Sequence, residues 1–136
     1  MIAAHDFYEN AYAQFWIVDG ILFFKYKPKT VIDFKAAQLV VTDRIHFQRE
    51  RTFPILCDTR GVVDTDKAGR DYLAQSGSIL TCAVGLIVDE KVLLTISSFY
   101  LQFSKPSVPT QIFTTEAPAL NYLKSFINAK GLVISP

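Results

Sequence analysis

An Asp19-Gly20 pair between two runs of β-branched and aromatic residues restricts the fold more than any other feature of this chain. The runs are 13–18, Ala-Gln-Phe-Trp-Ile-Val, and 21–26, Ile-Leu-Phe-Phe-Lys-Tyr. A two-residue hairpin turn needs positive φ at its centre, and Asp and Gly tolerate it, so the two runs are expected to pair antiparallel. Pro28 then ends the second strand.

Beyond the hairpin the pattern changes to helical spacing. Phe34, Ala37, Val41 and Ile45 share one face of a helix expected over 31–48, with Lys35, Thr42, Asp43 and His46 on another. Thr30 is the expected N-cap, and Asp33 helps to fill the first turn. A short strand, 53–57, leads into the polar loop Asp58-Thr59-Arg60-Gly61. The pattern repeats with a helix over 65–76, capped by Asp64 or Thr65 and ending near Gly77. The nearly continuous apolar run 80–88 suits a strand covered on both faces. A third helix is expected over 90–103, with Val92, Ile96, Phe99 and Phe103 as its stripe. Lys105-Pro106-Ser107-Val108-Pro109 breaks it. A strand over 111–113 and a last helix marked by Leu120, Leu123 and Ile127 close the chain. Thr115 can cap that helix, Pro118 is harmless in its first turn, and Gly131 can stop it with Leu132 packing back.

The order is therefore β-β-α-β-α-β-α-β-α, and alternating strands and helices imply parallel pairing with right-handed crossovers. The expectation is a single α/β domain. Its sheet is mixed, mostly parallel and about five-stranded, with the hairpin supplying one antiparallel edge strand.

From residue 54 onward the chain resembles the SpoIIAA-like STAS-domain proteins. Pro54-Ile55-Leu56-Cys57-Asp58-Thr59-Arg60-Gly61-Val62 is similar to their strand and loop, in which a strand ending in Asp is followed by a small polar residue, Arg and an apolar residue. Thr65-Asp66-Lys67-Ala68-Gly69-Arg70-Asp71-Tyr72-Leu73 is similar to their next helix. Pro109 to Glu116, ahead of Ala119-Leu120-Asn121-Tyr122-Leu123, is similar to their closing strand and helix. The resemblance implies a superhelix of βα units with a mixed sheet. The family's better-known members are anti-sigma-factor antagonists, its small stand-alone bacterial members mostly lack an assigned role, and the fold is shared with CRAL-TRIO lipid carriers. Antagonists carry a phosphorylatable Ser or Thr in an Asp-Ser-x-Gly setting at a helix start. Thr59 is the nearest match to that motif here and Thr65 the nearest to the helix start, across a longer loop.

Composition removes several function classes. Half of the residues are apolar and 20% are charged, which excludes a disordered chain. Net charge is +1, and Glu50 interrupts Arg49 and Arg51, so no basic stripe is available to neutralise phosphates and nucleic-acid binding is not expected. The first residues, Met1 to Asp6, lack the basic and apolar regions of a signal peptide, and the longest apolar stretch, Ala83–Val88, is too short for a membrane span. Cys57 and Cys82 lie inside apolar runs and are expected to be reduced core residues of a cytoplasmic protein.

No cluster of catalytic residues stands out, and neither a metal nor a cofactor is expected. Cys57 and His46 could form a nucleophile and base only if the thiol were accessible. The two histidines lack ligand spacing, and Gly61 and Gly69 do not form a phosphate loop. Asp58 and Arg60, with Asp89 and Glu90 at the end of the neighbouring strand, are candidates for a polar ligand site at the strand ends. In the hairpin, Phe15, Trp16, Phe23, Phe24 and Tyr26 put apolar groups on both faces, a pattern suited to a homodimer contact or an apolar groove. The functional expectation is a non-enzymatic regulatory or protein-interaction module that self-associates. A carrier or sensor of a small apolar or lipid-like ligand is the alternative.

Overall fold

The hairpin forms as its turn chemistry requires. In the computed structural model, which describes residues 7–92, 107–127 and 133, strands β2 (Ala13–Val18) and β3 (Ile21–Tyr26) pair antiparallel with Val18 opposite Ile21. Asp19 and Gly20 have φ of 51° and 81°, the two positive values of a type I′ turn.

Parallel strands extend the sheet from β3. β5 (Phe53–Asp58) pairs with β3, β7 (Thr81–Ile87) with β5, and β8 (Thr110–Phe113) with β7. β1 (Phe7–Glu9) adds an antiparallel strand outside β2, giving the order β1-β2-β3-β5-β7-β8. Among the described residues the hairpin is thus internal and the sheet has six strands, where the sequence suggested about five and an edge hairpin. β1 has three residues, too few to show a period-two pattern. A second, two-stranded parallel sheet pairs β4 (Thr30–Ile32) with β6 (Val62–Thr65). Pro54, which has no N–H to donate, lies where the β5–β7 register shifts.

Helices cover both faces. α1 (Phe34–Gln48) and α2 (Lys67–Ser76) pack on one side, where Phe15, Phe24, Ile55, Val40 and Val41 form a buried cluster. α3 (Glu116–Lys124) packs on the other, where Ala119 and Leu123 meet Ile21, Leu56, Ala83 and Ile87.

The helix starts differ from the sequence expectation. Asp33, not Thr30, caps α1 by accepting from the Ala36 N–H at 2.8 Å. Thr30 is in β4, where its hydroxyl donates to the Lys27 carbonyl at 2.7 Å. Asp66 caps α2, accepting from the Gly69 N–H at 2.7 Å, which leaves Asp64 and Thr65 in β6. In each case the Asp immediately before the helix outcompetes the earlier candidate, because its carboxylate reaches the free N–H of the first turn. Gly69 lets α2 approach β4 closely: a Cβ there would come within 2.7 Å of the Ile32 carbonyl oxygen.

Thr115 occupies the N-cap of α3 without a side-chain cap bond, and the helix ends at Lys124 with Ser125 as C-cap. Ile127 therefore lies past the helix, bridged antiparallel to Val133. Gly131, Leu132 and most of the expected 90–103 helix lie outside the described residues. Only Glu90–Val92 of that segment is described, as a short 3₁₀ turn.

The last residue of the α1 cap, Arg49, has φ of 51° and is exposed. Glycine avoids the Cβ clash of this conformation, so Arg49→Gly is expected to stabilise the fold by about 0.5–1 kcal/mol, measured by urea denaturation at neutral pH.

Candidate functional site

α1 and α2 do not close completely on the sheet. Between them and β3, β5 and β7 lies a cavity of about 150 Å³. Its walls are mainly apolar and include Phe24, Val40, Val41, Ile55, Val84 and Leu86. Arg44, Cys57, Thr59, Thr65, Arg70 and Asp89 bring the polar groups.

Arg44 and Gln48 are the residues that sequence reasoning missed. Both are buried, at 3% and 0% exposure, on the face of α1 that carries Ala37 and Val41. Arg44 Nη1 donates to Gln48 Oε1 and, at 3.0 Å, to the Ile79 carbonyl, while Nη2 donates to the Gly77 carbonyl at 3.0 Å. Gln48 Nε2 donates to the carbonyls of Arg51 and Leu80, both at 2.8 Å. The pair thereby satisfies the carbonyls of the connection between α2 and β7, where Leu80 has φ of 58°. The available signal was spacing: 37, 41, 44 and 48 form one continuous row on a helix.

Thr59 and Thr65, the phosphoacceptor candidates, both reach the cavity wall. The Thr59 hydroxyl donates to the Ile87 carbonyl at 2.7 Å, and the Thr65 hydroxyl accepts from Arg70 Nη1 at 2.9 Å. Of the four candidates for a polar ligand site, Asp58 and Arg60 pair directly, and the charge of Asp89 also acts on Arg60. Asp58 accepts from Arg60 Nε at 3.0 Å, Nη2 at 2.7 Å and the Arg60 backbone N–H at 3.0 Å. Asp89 lines the cavity, whereas Asp58, Arg60 and Glu90 do not. Residues alternate along β5, so Asp58 shares the α3 face with Leu56, away from the cavity side of Ile55 and Cys57.

The aromatic hairpin divides in two. Phe15, Phe24 and Tyr26 are buried, at 0%, 5% and 4% exposure, so they are core residues and not interface residues. Both faces of the hairpin are apolar because α1 covers one of them. On the other face Trp16 stacks on Phe23 at 5.5 Å between ring centroids, and Phe7 stacks on Trp16 at 6.4 Å. Phe7 and Val18 are 39% and 38% exposed there.

Burial, then neighbouring Asp58, push the Cys57 thiol up to about 12 against the opposing pull of Arg44, so the thiolate needed for nucleophilic attack is not populated at neutral pH. His46 lies apart from it, in a surface hollow with Phe7, Tyr8 and Asp43. Among the described residues no group of three or more His, Cys, Asp or Glu side chains is placed to hold a metal ion. None of the described helices is long and apolar enough to cross a membrane.

A family model described as a domain of unknown function, DUF7793, matches residues 15–127. The chain belongs to the DUF7793 family. Among solved structures, this DUF7793 domain is similar to an uncharacterised DUF3478-family protein with a SpoIIAA-like fold from Shewanella loihica PV-4. The TM-score is 0.53 and the identity 11%, over 90% of this chain and 92% of that one. At this identity the likeness shows the fold, which is the SpoIIAA-like α/β arrangement that the sequence resemblance implied. No curated protein matches the DUF7793 chain.

The Asp58–Arg60 pair has a pH signature. Burial raises the Asp58 carboxyl, but the Arg60 hydrogen bonds and the charges of Arg60 and Lys25 outweigh it and hold the group below the ordinary aspartate range. A carboxyl with a depressed folded-state value contributes stability above its unfolded value and loses it as pH falls through the folded one. Asp58→Asn is expected to cost about 1 kcal/mol at pH 7, since Arg60 is part-exposed. The variant should also lose less stability than the parent as pH falls below about 4. Urea midpoints across that range measure both effects, and parallel pH curves for the two proteins would contradict the assignment.

Proposed function

We propose that this domain is a non-enzymatic regulatory module that senses or carries a small, mainly apolar molecule held between the sheet and helices α1 and α2. The observation that carries the reading is the cavity of about 150 Å³ with its mainly apolar walls. A compact apolar molecule the size of benzene fits a space of about this volume and gains dispersion contacts with the apolar part of its walls. The location supports the reading: the cavity abuts the central strands, and Thr59 and Asp89 at its wall follow the carboxyl ends of β5 and β7, where α/β sheets bind ligands. A non-catalytic role is supported by the protonated Cys57 thiol and by an Asp58 carboxylate fully engaged by Arg60. The free thiols of Cys57 and Cys82 favour a reducing compartment, the cytoplasm.

Toluene at ten times its Kd is expected to stabilise the protein by about 1.4 kcal/mol, seen as a rise in Tm by calorimetry. Native mass spectrometry of protein purified from its host should show a bound small molecule. No Tm change up to the solubility limit of toluene, together with a ligand-free mass, would reject the reading.

A second reading, self-association, is favoured by the Phe7–Trp16–Phe23 ladder on the α3 side of the sheet. Aromatic residues are enriched in interface cores, and a second copy of this chain is the occupant proposed for that face. Light scattering is expected to give a dimer mass that Trp16→Ser converts to monomer. A monomer at millimolar concentration counts against it.

A further inference from the structure

A buried guanidinium with no acid beside it among the described residues faces the cavity. Arg44 is 3% exposed and lines the cavity wall. Its hydrogen bonds to Gln48, Ile79 and Gly77 use three of the five N–H groups that a guanidinium carries. The Nε–H and the second Nη2–H have no acceptor among the described residues. No carboxylate pairs with Arg44 among those residues either, and Asp89, the acid in the described cavity wall, is exposed. Burial lowers the Arg44 pKa to about 10, so the group keeps its charge at neutral pH. A buried cation without a counter-charge carries a desolvation penalty that an incoming anion relieves.

We propose that the cavity is a binding site for a small monocarboxylate, with its carboxylate on the open Nε–H and Nη2–H donors of Arg44 and its apolar body against Val40, Ile55, Val84 and Leu86. The assignment rests on the ligand-binding reading above and adds the chemical class of the ligand. Arg suits the role because its planar fork matches the two oxygens of a carboxylate. Volume sets the body: about 150 Å³ accommodates one six-membered ring or a short branched chain, and not a long acyl chain. Apolar walls disfavour a phosphate dianion, which needs more donors than Arg44 has open. The clamp on the α2–β7 connection accounts for the engaged N–H groups of Arg44. It makes no use of the open ones.

The test is isothermal titration calorimetry of the full chain with sodium benzoate and with benzyl alcohol, a neutral molecule of similar size. Benzoate is expected to bind the parent protein at least tenfold more tightly than benzyl alcohol. Arg44→Gln is expected to lose that advantage while retaining benzyl alcohol binding. Val84→Phe fills the cavity without touching the Arg44 hydrogen bonds, and is expected to abolish binding of both. Equal affinities in the parent protein would overturn the carboxylate assignment and leave the apolar-cavity reading standing. An absence of binding by either molecule would overturn both. Benzoate binding that persists in Val84→Phe would overturn the location.

Discussion

β5 has a hydrogen-bonded neighbour on each edge and helices on each face, and the rest of the structure is arranged around that confinement. Parallel pairing to β3 and β7 requires crossovers, and the crossovers supply the helices that bury the strand. Ile55 and Leu56, adjacent in sequence, therefore enter different clusters, one under α1 and α2 and the other under α3. The strand becomes polar only at its carboxyl end, where Asp58 is neutralised by Arg60 and the Thr59 hydroxyl ties the following turn to the end of β7. Polar groups reach the cavity from the strand ends and from α1 and α2.

Long, strongly patterned elements were legible in the sequence. The hairpin, α1, β5, β7, β8 and the start of α3 follow from turn chemistry and periodicity, and the SpoIIAA-like resemblance anticipated the fold shared with the similar solved structure. β1, β4 and β6 were not legible. Three- and four-residue strands carry too little pattern, and their pairing is decided by contacts distant in sequence, as in the bond from the Thr30 N–H to the Gly61 carbonyl.

The candidate site was legible only in part. Thr59, Thr65 and Asp89 were singled out for reasons of position, and all three reach the cavity. Arg44 and Gln48 were passed over because Arg and Gln on a helix are ordinarily solvated. Their place on the buried row becomes informative only once the carbonyls of the α2–β7 connection are seen to need donors. The interface reading of Phe15, Phe24 and Tyr26 failed for a related reason: alternation assigns residues to faces but does not say which face a helix covers.

The contact of Gly69 with the Ile32 carbonyl reaches beyond local packing. It fixes how high the α2 roof stands above the smaller sheet by backbone meeting backbone, so the side chains beneath do not determine that spacing. Exchanges among the lining residues can then reshape the cavity while the roof stays in place.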